Sequence, residues 1–235
     1  MGDNIRKTKE YFDRKSEKLE KIKIEKQNNL VKTVKWAIEN KLYGVVLDIG
    51  IGIGGSFYYS TENVKKVIGI DISYLSLAKA KKIDKFYYIA CSAYQLAFNE
   101  SLFDCVVLTN VLHHFAGDSL EETKENLLNC FVETKRVLKE GGKVFIVEAF
   151  CNRLIEKMES SLYKIYFKIV KIFNKPLIYY FSFYQIKEIL SYCGFKNIVF
   201  THLKDKNIKL CPFDATFGLP LRYFGLNYIL VEANK

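Results

Sequence analysis

The fold is decided by residues 45–55, which read Val45-Val46-Leu47-Asp48-Ile49-Gly50-Ile51-Gly52-Ile53-Gly54-Gly55. The apolar run predicts a buried strand, and the glycines after it predict a loop whose backbone approaches another group closely. Glycines 50, 52 and 55 have the spacing G-x-G-x-x-G, which is typical of dinucleotide-binding loops but is a weak signal alone. Asp48 places a carboxylate at the strand's end. Such a charge would repel a pyrophosphate and would suit a cationic ligand.

A second apolar strand, Val67-Ile68-Gly69-Ile70-Asp71, ends in an acid 21 residues after Gly50. In nucleotide-binding strand–helix–strand units, an acid about 20 residues after the glycines binds the ribose hydroxyls. Three further segments complete the pattern. They are Cys91-Ser92-Ala93-Tyr94-Gln95-Leu96-Ala97-Phe98, Phe103-Asp104-Cys105-Val106-Val107-Leu108-Thr109-Asn110-Val111-Leu112-His113-His114-Phe115 and Gly142-Lys143-Val144-Phe145-Ile146-Val147-Glu148.

With these pieces in this order, the chain resembles the class I S-adenosylmethionine-dependent methyltransferases over roughly its middle half. The resemblance implies S-adenosyl-L-methionine as cofactor. It places the backbone of Gly50, Gly52 and Gly54 against the methionine part of the cofactor and Asp48 near its ammonium group. It also implies that Asp71 accepts hydrogen bonds from both ribose hydroxyls. The motif style is similar to the branch that contains ubiquinone and menaquinone methyltransferases.

The same resemblance assigns four more residues to the cofactor site, namely Ile72, Ser92, Ala93 and Asn110. Ser92 stands where the family often has an aspartate that binds the adenine amino group. A serine hydroxyl accepts that hydrogen bond more weakly, because its oxygen is neutral. Asn110 follows the fourth predicted strand, at the edge of the sheet where ligands of such folds bind.

His113 and His114 are the candidate catalytic residues. An imidazole titrates near neutrality and can take a proton from a hydroxyl, thiol or acidic carbon. The alternative is that the pair only packs the loop. Three tyrosines are candidates for substrate binding. They are Tyr11, in a segment that looks like one that covers the site in many family members, and Tyr163 and Tyr184. The alternative for the first is an ordinary amphipathic helix, and the alternative for the other two is burial in the core.

Strands that alternate with helices predict an α/β fold with a doubly wound, mostly parallel sheet. We expect two helices before the first strand, a short helix near 56–60, a helix over 73–83 with Ser73 as its N-cap, and a helix over 121–139 that ends at Gly141-Gly142. An aromatic connection that contains Pro212 and Phe217 is long enough to cap a site. The resemblance implies seven strands, with the last two, 195–201 and 227–232, as an antiparallel pair at the edge. We expect a single methyltransferase domain over residues 1–235. Its parts are N-terminal helices at 1–41, a cofactor-binding core at 42–150, a helical lid at 151–181, and the last helix and edge strands at 182–235.

Charge is unevenly distributed along the 235 residues, whose formal net charge is +10. The net charge is +5 over residues 1–41, −2 over 42–150 and +7 over 151–235. Residues 154–173 form a basic amphipathic pattern at helical spacing. Basic flanks suit an anionic substrate, RNA or a membrane surface, and solvated lysines are the alternative.

Six cysteines without paired metal spacing, and a charged start without an apolar segment, predict a cytoplasmic protein with no metal. No stretch is long and apolar enough to span a membrane. We expect a small-molecule substrate and a monomer or homodimer. Peripheral membrane contact is compatible with the basic flanks.

The favoured function is methyl transfer to a small, aromatic or lipid-like acceptor by in-line displacement. An RNA (tRNA or rRNA) methyltransferase is the first alternative, motivated by the basic flanks. An NAD(P)-dependent oxidoreductase shares the glycine spacing, but Asp48 argues against it. A non-catalytic cofactor-binding scaffold is the remaining alternative.

Overall fold

Seven strands form one sheet in the computed structural model, which describes residues 2–18, 34, 37–53, 62–80, 84–203 and 226–235. The strand order is β3-β2-β1-β4-β5-β7-β6. All neighbours are parallel except β7, which is antiparallel to both β5 and β6. The strands are β1 Gly44–Ile49, β2 Val64–Asp71, β3 Phe86–Ala90, β4 Phe103–Thr109, β5 Leu138–Cys151, β6 Lys196–His202 and β7 Leu226–Asn234.

The chain order reverses at β1, which pairs with β2 on one side and with β4 on the other. In an open α/β sheet, such a switch point opens a crevice at the carboxyl ends of the strands, where ligands bind. The predicted doubly wound, mostly parallel, Rossmann-like sheet of seven strands is confirmed.

Five helices are described in full, and side chains cap four of them. The Ser73 hydroxyl accepts the backbone N–H of Ser76, as predicted, and Ser182 forms a capping box with Gln185. The helices are α1 Asp3–Lys18, α2 Tyr74–Ala78, α3 Leu120–Val137, α4 Arg153–Ile172 and α5 Phe183–Tyr192, with a short 3-10 turn at Leu112–Phe115.

The boundary between α3 and β5 differs from the sequence prediction. The predicted helix ran to Lys139 and ended at the glycines that follow it, but α3 ends at Val137. Leu138 leaves the helix with φ −70° and ψ 140° and pairs with Phe103 of β4. Burial of Leu138 next to β4 therefore overrides its helical propensity.

Side chains of the central strands alternate between two hydrophobic clusters, one on each face of the sheet. Leu47 and Val106 join the cluster that α3, α4 and α5 cover. Val46 and Val107 join the cluster that contains Ile38. This alternation follows the two-residue period of a strand. No helix within the described part of the chain is long and apolar enough to cross a membrane.

Several predicted features lie outside the described residues. They are Gly54, the short helix near 56–60, most of the second N-terminal helix, and the aromatic connection that contains Pro212 and Phe217. The helix predicted over 73–83 is shorter than expected, since α2 ends at Ala78 and Lys79 is its C-cap.

Candidate active site

The glycine loop begins at the buried end of β1. Asp48 is 2% exposed. Gly50 has φ +77°, and a Cβ there would lie 2.4 Å from Cγ2 of Val111, so a side chain would clash. Gly52 has φ +59°, and a Cβ there would have no atom of the described residues within 4 Å. None of the described residues therefore blocks the close approach of a ligand to the Gly52 backbone.

Asp71, the last residue of β2, joins this loop to the start of α2. Its Oδ2 accepts the backbone N–H of Gly52 at 3.0 Å, and its Oδ1 accepts that of Ser73 at 2.8 Å. Burial raises the pKa of Asp71, and these backbone hydrogen bonds oppose the rise. A carboxylate offers about four acceptor positions, so Asp71 can accept further hydrogen bonds. Ile72 links it to Ser73 and is half-buried.

Three other predicted cofactor residues lie just beyond the carboxyl ends of β3 and β4. The Ser92 hydroxyl accepts the backbone N–H of Tyr94 at 3.2 Å, and Ala93 packs against the core. Asn110 has φ +51°, and its side-chain oxygen accepts a hydrogen bond from the Tyr228 hydroxyl. The Asn110 side chain is therefore held by β7.

The two histidines lie in different environments. His113 Nδ1 lies 3.0 Å from Oε1 of Glu148, whose two oxygens also accept the backbone N–H groups of Leu112 and Ala149. The His113 side chain keeps 16% exposure, and its ring stacks on Tyr180 at 5.4 Å. If the Nδ1–H donates to this carboxylate, Nε2 carries the free lone pair.

The His114 residue is partly buried, and its Nδ1 atom is buried. Its pKa is lowered well below its usual value, first by burial and then by the nearby charges of His113 and Lys15. The ring packs edge-on against Phe12 of α1 at 4.8 Å. Its Nδ1 has no hydrogen-bond partner among the described residues. His114 is therefore a neutral ring in the wall of the site.

Helix α1 crosses the carboxyl edge of the sheet through the segment that contains Tyr11. Asp13 Oδ1 accepts a hydrogen bond from the Ser73 hydroxyl at 2.5 Å, so α1 contacts the residue that also binds Asp71. Tyr11 is partly exposed and packs edge-on against Phe12. This segment therefore lies over the cofactor loop and the histidines.

The other two predicted substrate tyrosines do not join this group. Tyr163 is 4% exposed, and its hydroxyl donates to the Gly117 carbonyl at 2.9 Å and contacts the Thr123 hydroxyl, so it belongs to the core. Tyr184 is half exposed, on the first turn of α5, with the Arg153 guanidinium 5.6 Å from its ring centre. The aromatic beside His113 is instead Tyr180.

Reasoning from the sequence missed Glu148 as a site residue and did not single out Tyr180 from the other aromatic residues of the 151–181 segment. Glu148 is an acid within an apolar strand and is only 2% exposed, which is a signal that a partner must be present. Tyr180 follows Tyr179, whose backbone N–H donates to the His113 carbonyl at 3.0 Å. Only the return of the chain after α4 brings this segment to the site.

Comparison with known sequences adds a family match. The family described as a methyltransferase domain matches residues 47–146. Uncharacterized protein MJ0638 of Methanocaldococcus jannaschii is 34% identical over 139 residues, which cover 59% of this chain and 52% of that protein. MJ1123 of the same organism is 30% identical over 168 residues, which cover 69% of each protein. The chain thus spans about half the length of the first relative and over two thirds of the second.

Two solved structures share the fold. Phosphoethanolamine N-methyltransferase 2 of Haemonchus contortus, bound to phosphomonomethylethanolamine and S-adenosylhomocysteine, has a TM-score of 0.58 at 21% identity, covering 88% of this chain and 52% of that chain. Geranyl diphosphate C-methyltransferase of Streptomyces coelicolor, bound to Mg²⁺, geranyl diphosphate and S-adenosylhomocysteine, has a TM-score of 0.60 at 14% identity, covering 88% and 79%.

Proposed function

Because the chain belongs to the class I S-adenosylmethionine-dependent methyltransferases, we propose that it transfers a methyl group from S-adenosylmethionine to a small acceptor. One observation carries this proposal. The backbone at Gly52, the buried carboxylate of Asp48 and the partly buried carboxylate of Asp71 lie together at the switch point of the sheet. The cofactor, when bound, supplies an electrophilic methyl group on a sulfonium.

The residues at this edge fit such a cofactor. Asp48 offers negative charge to an ammonium group, and Asp71 retains acceptor positions for two ribose hydroxyls. Gly50 and Gly52 keep side chains away from the loop backbone. Adenine would lie near Ser92 and Ala93, beyond β3, where the serine oxygen can still accept one hydrogen bond.

His113 is the proposed general base, and Glu148 is its positioning residue. Glu148 holds Nδ1 of His113, while two backbone N–H groups hold Glu148, so the ring has a fixed orientation. Nε2 can then receive the acceptor's proton as the methyl group transfers. His114 does not take this role, because burial keeps it neutral and Phe12 covers it.

The proposed acceptor is small and aromatic or lipid-like. Tyr180 stacks on His113, and Tyr11 and Phe12 cover the same edge from α1, so the base lies among aromatic rings. Such rings suit a flat or apolar molecule. The two methyltransferases of known structure are bound to small molecules, which supports an acceptor of this size. The quinone branch remains a prediction from the motif style.

Label transfer tests the proposal. The purified protein is incubated with methyl-labelled S-adenosylmethionine and an extract of its source cells, and the products are separated by solvent extraction and by ribonuclease sensitivity. We expect label in the small-molecule or organic fraction. Label that is lost on ribonuclease treatment would support the RNA alternative. Bound S-adenosylhomocysteine without any transfer would support a scaffold.

Variants of His113 and Glu148 test the mechanism in the same assay. We expect His113→Gln to lower kcat about 100-fold or more, the usual contribution of a general base, while the affinity for S-adenosylhomocysteine is retained. Glu148→Gln should also lower kcat, because a glutamine side chain has one oxygen where the carboxylate has two. One oxygen cannot accept hydrogen bonds from both the Leu112 N–H and the His113 Nδ1–H in the present geometry. His202→Gln is the matched control, since His202 is exposed on β6. Unchanged kcat in His113→Gln would remove the residue from the mechanism.

A further inference from the structure

Helix α4 exposes two parallel stripes of opposite chemistry, and every residue named in them is exposed. The basic stripe contains the cationic side chains of the helix, and the apolar stripe contains large aliphatic ones. The basic stripe is Arg153, Lys157, Lys164, Lys168 and Lys171. The apolar stripe is Leu154, Met158, Ile165, Ile169 and Ile172.

The stripes are adjacent on the helix surface. At about 100° per residue, the members of the basic stripe fall within about 60° of one another, and those of the apolar stripe occupy the next sector of similar width. The opposite face of α4 packs on the protein through Tyr163 and Val170. The helix therefore buries one face in its own core and leaves a second apolar face in water.

Both acids of α4 lie away from the exposed stripes. Glu159 is buried, and Glu156 is partly buried and accepts a hydrogen bond from the Ser182 hydroxyl. Among the cations, Lys171 lies 4.0 Å from Asp3 of α1. Within α4, whose residues are all described, the exposed face therefore carries positive charge and no acid.

The apolar stripe is prominent for a protein surface. Ile165 is 57% exposed and Ile172 is 80% exposed, and Phe173 continues the stripe beyond the end of the helix. Contiguous exposed apolar side chains indicate an interaction site, because their hydration is unfavourable.

We propose that α4 docks onto an anionic lipid bilayer, with the apolar stripe at the boundary between headgroups and acyl chains and the basic stripe on the lipid phosphates. This arrangement satisfies both stripes at once and is typical of helices that lie in a membrane interface. An RNA phosphate backbone would match only the cations. A second copy of the chain would cover the apolar stripe but would bring two basic stripes together, which repel each other.

The position of α4 connects this surface to the proposed active site. The helix starts directly after Asn152, four residues beyond Glu148, and the chain that follows it returns to stack Tyr180 on His113. Both ends of α4 are therefore connected to residues of the proposed active site, and a bilayer bound to α4 would lie close to that site. The docking itself goes beyond the proposed function and does not depend on it.

Sedimentation with vesicles tests the docking. Vesicles of phosphatidylcholine with phosphatidylglycerol are compared with vesicles of phosphatidylcholine alone, at two salt concentrations. We expect binding only to the anionic vesicles, and weaker binding at high salt. The double variant Lys164→Gln/Lys168→Gln should lower the partition coefficient about fivefold for each lysine, or about 25-fold. The control is Lys65→Gln/Lys196→Gln, which removes two exposed lysines of the sheet.

The apolar stripe has its own variant pair. Ile165→Ser/Ile169→Ser should lower partitioning about tenfold or more, since each change removes apolar surface that would enter the interface. Val132→Ser/Val199→Ser is the control, because both valines are about half exposed and lie on other elements. Far-ultraviolet circular dichroism checks that all variants keep the fold.

Three results would overturn the docking proposal. They are no binding to anionic vesicles, equal loss of binding in the control variants, or a stable dimer in light scattering that the Ile165→Ser/Ile169→Ser change dissociates. The assay contains no cofactor or acceptor. A negative result with vesicles therefore says nothing against methyl transfer. A negative result in the methyl-transfer assay likewise says nothing against docking.

Discussion

His114 shows how burial sets the charge of a single side chain. Its folded-state pKa lies well below the usual value of 6.5, because burial disfavours the charged ring. The unfolded chain therefore binds a proton below about pH 6.5 that the folded chain does not bind. The contribution of His114 to stability is complete above that pH and is lost as pH falls, by up to about 1.4 kcal/mol per pH unit.

The pH dependence of unfolding measures this effect. Urea unfolding between pH 7 and pH 5 should give a steeper loss of stability in the parent than in His114→Gln. Equal slopes in the parent and in His114→Gln would show that folding does not shift the pKa of His114.

The structural role of Tyr163 can be distinguished from a catalytic role by experiment. Its buried hydroxyl donates to the Gly117 carbonyl. We expect Tyr163→Phe to lower the free energy of unfolding by about 1–2 kcal/mol, because a buried acceptor loses its donor. Methyl transfer by the folded variant should stay within about twofold of the parent. Tyr184→Phe is the exposed control, and a loss of kcat in Tyr163→Phe without destabilisation would return Tyr163 to the acceptor site.

Spacing along the sequence predicted the places of Asp71 and the glycines in the fold better than the surroundings of His113. Asp71 and the glycines occupy fixed places in a strand–loop–strand unit, so spacing located them. Glu148 and Tyr180 meet His113 only after the sheet forms and the chain returns from α4. For Tyr163 the sequence left both the acceptor site and the core open, because helical spacing does not distinguish a core aromatic from a pocket aromatic, and the structure places it in the core.

At the scale of elements, α1 is attached to the rest of the fold by several hydrogen bonds at its first turn. The Asn4 side chain donates to the carbonyls of Ala116 and Leu177 and accepts the backbone N–H of Leu177 at 2.7 Å. Asp118 accepts the backbone N–H groups of Asp3 and Asn4. These bonds attach α1 to the 3-10 turn region and to the segment after α4.

Removing this anchor should release α1. We expect Asn4→Ala to cost about 3 kcal/mol of docking free energy, because it leaves buried backbone groups of Leu177 and Ala116 unpaired. Hydrogen exchange of the α1 amides should then be about 100-fold faster. Arg6→Ala, at an exposed position of the same helix, should change exchange little. If Asn4→Ala leaves exchange of α1 unchanged, other contacts hold the helix.

Element boundaries followed local signals unless tertiary pairing intervened. Ser73 was predicted as a helix N-cap, and its hydroxyl caps α2. The end of α3 was misplaced by two residues, since the pairing of Leu138 with Phe103 depends on β4, which lies far away in sequence. Such pairings are invisible to a local pattern.

At the scale of the whole molecule, the sheet gathers residues that are distant in sequence. Asp48, Asp71, Asn110 and Glu148 lie at or next to the carboxyl ends of β1, β2, β4 and β5. Alternating strands and helices were enough to predict this architecture, because parallel strands joined by helices expose their carboxyl ends on one edge. The acceptor was beyond prediction, since its pocket depends on how α1 and the segment after α4 pack together.

Titration calorimetry with S-adenosylhomocysteine tests the central claim most directly, namely that the cofactor binds at the ends of β1 and β2. The parent should bind one molecule per chain. Asp71→Asn should weaken binding about 100-fold, since hydrogen bonds to a charged oxygen are lost. The matched control Asp84→Asn, at an exposed turn, should bind like the parent. No binding by the parent, or parent affinity in a folded Asp71→Asn variant, would contradict the claim.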